Sequence, residues 1–259
     1  MIVDLHNHTP LCNHAEGSID EYVQSAIKAG TKVFGFSDHA PMDFDPKYRM
    51  NFEDMPKYEA HVKEAKEQYK EKLTILLAYE VDYLPGHMDE RVLKADVDYL
   101  IGSVHFLEGW GFDNPEFLSQ WHEQDVNEVW QRYFDTITAM AETKLFDIVG
   151  HLDLIKVFNF MPDKNITLMA KETLDAIKDN NMVIEVNGAG YRKPVKEAYP
   201  SKELLEEAFK REIPITLSSD AHAPAQVALF DKEIMALVRS VGYKECSYFI
   251  KKERKSIRF

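Results

Sequence analysis

Short apolar runs alternate along the chain with stretches in which apolar residues recur every three or four positions. The runs cover 2–5, 32–36, 73–78, 99–102, 146–149, 182–186 and 213–217. Their length and β-branched or aromatic content predict seven strands, and the intervening periodic stretches predict helices. Between the first two strands, Ser18 opens a Ser-Ile-Asp-Glu capping pattern. Ile19, Tyr22, Val23, Ala26 and Ile27 then share one face until Gly30 stops the helix. Further helices are expected near 56–71, 124–143, 166–180, 201–211 and 224–240, the last opened by Pro224 in its first turn. Strand and helix in regular alternation is the sign of βα units around a parallel sheet, so the fold class is α/β. No fixed repeat and no Pro/Gly/Ser-rich linker divides residues 1–259, which are read as a single domain. Longer loops at 40–55, 106–122 and 187–200 follow strand ends, where a barrel or an open α/β sheet binds its ligands.

Seven of the ten histidines stand at or near the ends of these apolar runs: His6, His8, His14, His39, His105, His151 and His222. Residues two apart on an extended segment share a face, so His6 and His8 can point at one cation, as can Asp220 and His222. Each histidine alone reads by default as a core residue bonded to backbone. The set does not, because five separate runs lead into one. Glu80 follows Leu76-Leu77-Ala78-Tyr79, and a carboxylate there is costly to bury unless a cation or hydrogen bonds neutralise it. Imidazoles and carboxylates without thiolate suit zinc, iron or manganese. Cys12 lies inside the first cluster but beside better-spaced ligands, and with Cys246 it is too little for a disulfide framework. His61 reads as solvated, while His87 and His122 sit in turns or loops from which they can reach a substrate.

Composition narrows the partners. A net charge of −13 repels polyanions, and no basic stripe interleaved with aromatics offsets it, so nucleic acid is not an expected partner. The one basic run, Lys251 to Arg258, reads as a solvated tail. No apolar run approaches the roughly 18 residues of a spanning helix. A strand directly after Met1 leaves no signal peptide, and a cytoplasmic location is expected.

Taken together, His6-Asn7-His8 with His14, Ser37-Asp38-His39, Glu80-Val-Asp, Gly102-Ser-Val-His105-Phe, Gly150-His151 and Asp220-Ala-His222 resemble the polymerase-and-histidinol-phosphatase (PHP) superfamily. Within it, His39-Ala40-Pro41, Glu80-Val-Asp-Tyr83, Gly150-His-Leu-Asp-Leu-Ile155 and Glu185-Val-Asn-Gly188 running on to Tyr191-Arg192 look most like the histidinol-phosphate phosphatases of histidine biosynthesis. The resemblance implies a distorted (β/α)7 barrel with three divalent metal ions at the strand C-termini. It implies one cation on His6, His8, Glu80 and Asp220, a second on Glu80, His105 and His151, and a third on His14, His39 and His222. It further implies hydrolysis of L-histidinol phosphate, in which coordination lowers the pKa of water to about 7 and a metal-bridging hydroxide attacks the phosphorus. No Cys-x5-Arg or paired-aspartate motif offers a protein nucleophile instead.

Candidate proton donors are Asp220, His222 and Asp153. For the phosphate the first choice is Arg192, with Lys156 and Lys193 behind it. Glu108, Trp110 and Asp113 offer an acidic and aromatic set for a cationic small-molecule phosphomonoester. The alternatives are a protein tyrosine phosphatase or 3′–5′ exonuclease of the same superfamily, and a non-catalytic metal-binding module.

Overall fold

A computed structural model describes residues 1–259. Its strands are β1 (Val3–Asp4), β2 (Val33–His39), β3 (Thr74–Asp82), β4 (Tyr99–Ser103), β5 (Phe106–Leu107), β6 (Trp110–Gly111), β7 (Ile148–Val149), β8 (Val183–Asn187), β9 (Ile215–Ser218), β10 (Glu245–Ile250) and β11 (Glu253–Arg258). The helices are α1 (Ile19–Ala29), α2 (Met55–Tyr69), α3 (Glu90–Leu93), α4 (Val126–Glu142), α5 (Ile166–Met169), α6 (Lys171–Asp179), α7 (Lys202–Lys210) and α8 (Asp231–Val241). Seven strands form one parallel sheet in the order β1-β2-β3-β4-β7-β8-β9.

The sheet curls until its edges meet. Leu5 N donates to Leu217 O at 3.1 Å, His8 N to Ala221 O at 2.9 Å, and Asn7 bridges Ala221 in parallel sense. So few bonds at the seam make the barrel irregular rather than a full cylinder. Asp4 reinforces the seam: its buried carboxylate accepts from Ser219 N, Ser219 Oγ and Ala228 N.

Strand periodicity sorts the core into two layers. On β3, Ile75, Leu77, Tyr79 and Val81 face outward with Tyr58, Val62 and Ala65 of α2, while Leu76 and Ala78 face the barrel interior with Tyr99, Ile101, Val183 and Leu217. Continuing that inward period carries Glu80 and Asp82 into the C-terminal half of the barrel. Tyr99 crosses the interior from β4 and donates to Leu5 O at 2.5 Å, passing over Gly35. A Cβ on Gly35 would lie 1.8 Å from the Tyr99 hydroxyl. Gly35→Ala is therefore expected to cost about 1–3 kcal/mol by overpacking, read as a lower urea midpoint at unchanged slope; equal midpoints would show that Tyr99 can move aside.

The Ser18 capping box and the Gly30 stop, with Gly30 at φ 80°, form as the sequence predicts. Three expectations are corrected. The stretch 166–180 breaks at Ala170 into α5 and α6. Pro224 opens a separate 3-10 turn, and α8 begins only at Asp231. The basic C-terminal run is not a tail: β10 and β11 pair as an antiparallel hairpin. Cys246 and Phe249 of that hairpin pack into the interior layer, and Lys251 N and Lys252 N donate to Asp98 at the start of β4, so the hairpin plugs the N-terminal mouth. Its exposed, charged face is what the composition registered. No helix is long and apolar enough to cross a membrane.

Candidate metal centre

At the opposite mouth, the strand ends gather all nine expected ligands. Imidazole centroids lie 4.9 Å apart for His6 and His8, 4.3 Å for His8 and His39, 4.6 Å for His14 and His222, and 4.9 Å for His105 and His151. Glu80, almost wholly buried, is the hub. Its Oε2 lies 3.1 Å from His6 Nε2, 3.8 Å from His8 Nε2 and 2.9 Å from His39 Nδ1. Its Oε1 lies 3.0 Å from His151 Nε2 and 3.6 Å from His105 Nε2, and accepts from Ser103 Oγ at 2.7 Å. The two oxygens of one carboxylate thus face different sets of imidazoles. Asp220 sits across from it, 3.2 Å from His8 Nε2, and adopts φ 51° just beyond β9; His151 also has a positive φ, 21°. Left-handed backbone at non-glycine residues is costly and accumulates where side chains must be aimed.

The donor atoms fall into groups close enough to share a cation: His6, His8 and Glu80; Glu80, His105 and His151; and His14, His39 and His222. A fourth group joins Cys12 to His8 and His222, so the thiol lies nearer the cluster than its sequence neighbourhood implied. His6 Nε2 and Glu80 Oε2 have no hydrogen-bond partner although they are buried 3.1 Å apart. Burying such atoms unpaired is costly, and a cation between them satisfies both. The residues therefore fit bound divalent metal.

Behind these groups, carboxylates orient the imidazoles. His6 Nδ1 lies 2.7 Å from Glu185 Oε1, whose second oxygen accepts from His151 N. His105 Nδ1 lies 2.6 Å from Asp82 Oδ1, and Asp82 is paired on its other oxygen with buried Arg49. Such partners fix the ring and raise its basicity as a ligand. Burial alone would raise Glu80 and Asp220, but the imidazole charges around them outweigh it and hold both carboxyls well below their usual range. Burial holds His222 well below its ordinary value and His39 at about 4, keeping their lone pairs free.

Above the cluster opens a cavity of about 550 Å³, lined by His39, His105, Asp113, Arg192, Lys193 and Tyr199 among others. Arg192 is there, but two of its N–H groups donate to Ser219 O (2.9 Å) and Asp220 O (2.7 Å), so it also fixes the Asp220 turn. Six expectations do not hold. Lys156 is buried away from the cavity, its Nζ bound to Asp153 (2.9 Å), Glu197 (2.6 Å) and Ala198 O (2.8 Å). Asp153 is its partner there, accepts from Ser201 N and does not line the cavity, so it stands away from where a substrate would need a proton. Glu108 turns outward at the tip of the β5–β6 hairpin, with its side chain 84% exposed. Trp110 packs edge-on against Trp121 and does not line the cavity. Only Asp113 of that trio reaches it, and burial raises its carboxyl. His87 pairs with Asp43 and His122 lies against Phe160, both outside the cavity.

Sequence reasoning assigned no role to Arg49, Asp38 or Tyr199. Asp38 carries a usable signal, a carboxylate next to the strand-end ligand His39 and 3.4 Å from His8 Nδ1; Arg49 and Tyr199 carry none, since their positions depend on how their loops close.

An irregular seven-stranded parallel barrel with an imidazole–carboxylate cluster at its C-terminal mouth defines a metal-competent α/β barrel. The chain belongs to the PHP domain family, which matches residues 4–189. It is 39% identical to a probable histidinol-phosphatase of Deinococcus radiodurans over 95% of this chain and 96% of that one. It is 28% identical to the histidinol-phosphatase of Bacillus subtilis, covering 86% and 94%. Its fold matches that of histidinol phosphate phosphatase from Lactococcus lactis, a structure complexed with zinc, L-histidinol and phosphate, at a TM-score of 0.81 and 20% identity over 98% of both chains.

Proposed function

We propose that this protein is a metal-dependent phosphomonoesterase that hydrolyses L-histidinol phosphate to L-histidinol and inorganic phosphate. The carrying observation is Glu80, whose two oxygens face separate imidazole sets beneath a cavity that Arg192 and Lys193 line. The named relatives supply the substrate, and a cytoplasmic biosynthetic role accords with them.

His6, His8, Glu80 and Asp220 would hold one divalent cation, Glu80, His105 and His151 a second, and His14, His39 and His222 a third, with zinc, iron or manganese all suited to the donors. When bound, such cations supply Lewis acidity and lower the pKa of water to about 7, which makes a nucleophile available at neutral pH. The chain's own residues do the rest. Glu185 and Asp82 keep His6 and His105 aimed. Arg192 and Lys193 bring positive charge to the cavity for a phosphate dianion, while Asp113 is an acidic group on the same cavity available to an ammonium or imidazolium. Asp220, held ionised, and His222, whose lone pair burial keeps free, both serve as ligands better than as proton donors.

Protein loaded with Mn²⁺ or Zn²⁺ should turn over histidinol phosphate faster than a phosphotyrosine peptide or single-stranded DNA. Equal or lower turnover of histidinol phosphate would sink the substrate assignment and leave a PHP-family phosphoesterase of other specificity.

A further inference from the structure

We propose that the Tyr199 hydroxyl donates a hydrogen bond to the phosphoryl group of the substrate, a role that rests on the phosphomonoesterase reading. Tyr199 is 1% exposed, lines the cavity, and its hydroxyl has no hydrogen-bond partner in the protein. A buried hydroxyl without a partner costs stability, so the position has a reason other than folding. Burial pushes the phenol up, and the nearby carboxylates of Asp153, Asp113 and Asp220 push it further, so it stays a neutral donor at any working pH.

The residue is also held in place. Asn187 N donates to Tyr199 O at 2.6 Å, and Tyr199 N returns a bond to Asn187 O at 3.0 Å, closing the 187–199 loop on itself. Lys156 Nζ binds Ala198 O and lies 5.5 Å from the Tyr199 ring centroid; Asp153 holds Ser201 N from the other side. Lys156 and Asp153, absent from the cavity, thereby act as positioning residues for the segment that carries Tyr199. The same loop contributes Arg192 and Lys193, which line the cavity together with Tyr199. His151 stands 6.3 Å from the Tyr199 ring, which puts the phenol beside the imidazole cluster. Donors locked by their own supports before the ligand arrives are the ones that contribute most to binding and rate.

The test is Tyr199→Phe in the metal-loaded protein, with Tyr243→Phe as the contrast, because the Tyr243 hydroxyl already donates to Ile213 O at 2.9 Å. Tyr199→Phe is expected to keep its metal content and its Tm, or to gain slightly in Tm. It should bind inorganic phosphate about 10- to 100-fold more weakly, as expected for a hydrogen bond to a charged acceptor, and lose a similar factor in kcat/KM. Tyr243→Phe should do the reverse, losing Tm and keeping the kinetics. The proposal is overturned if Tyr199→Phe binds phosphate within twofold of the parent, or if it lowers Tm while phosphate binding holds. An unsubstituted protein with no phosphomonoesterase rate would overturn the functional reading instead, and titration with inorganic phosphate would still decide Tyr199.

Discussion

Glu80→Gln is expected to lower kcat/KM by more than about 100-fold, beyond the range seen when a ligand loses only its outer-shell partner, and to reduce bound metal at the same time. The amide has nearly the same shape, so packing survives. What changes is charge and lone pairs at a site 1% exposed. Both carboxylate oxygens now face ring nitrogens, His6 and His39 on one side, His151 and His105 on the other. An amide can turn an oxygen to only one of them and must aim an N–H₂ at the other, where it repels a cation. Metal analysis of the purified variant, beside its rate, checks both halves. Full metal content with an unchanged rate would refute the shared role of Glu80.

Removing metal should be nearly as severe. A cation at about 1,000 times its dissociation constant stabilises the native state by about 4 kcal/mol, and for a chain approaching this size each kcal/mol moves Tm by about 2–4 °C. Exhaustive chelation is thus expected to abolish turnover and lower Tm by about 8–16 °C, with both restored by Zn²⁺ or Mn²⁺.

The loss should grow with pH. In the cation-free protein, burial pulls the His105 imidazole toward neutrality, but Asp82 and Glu80 prevail and raise it to about 10. A raised imidazole contributes stability that is complete below its unfolded value of about 6.5 and lost as pH rises through the folded value. Protons therefore replace cations well at pH 6 and less well at higher pH, and metal itself binds more tightly as ligands deprotonate. Thermal scans with and without chelator at pH 6 and pH 9 measure the difference. A larger drop at pH 6 would show that the carboxylates near His105 do not govern it.

Much of this was legible from residue order. Short continuous apolar runs locate strands because burial on both sheet faces demands apolar residues, and a histidine at the end of a buried run has few other uses. Where the reading failed, it concerned side chains whose direction depends on segments distant in sequence. Lys156 follows the His151 strand end just as a phosphate ligand would, but Glu197 and Ala198, 41 and 42 residues further on, together with Asp153, take up its ammonium. Glu108 and Trp110 share a loop with Asp113, yet the two-residue turn between β5 and β6 sends Glu108 to solvent and packs Trp110 inward. The C-terminal hairpin was missed because its charges outnumber the few residues, Cys246 and Phe249, that anchor it.

By itself, the sequence determined the seven strands, the α/β alternation, the identity of the nine candidate ligands and the need for something to neutralise Glu80. Those properties follow from local period and from the cost of burying charge, which act within a few residues. Only the tertiary structure decided that β1 and β9 close the barrel through Leu5 and Asn7, that the oxygens of Glu80 divide the imidazoles, and that Tyr199 rather than Lys156 reaches the cavity. Each of these depends on atoms brought together from segments distant in the chain, and no local pattern records where a closing sheet will set them.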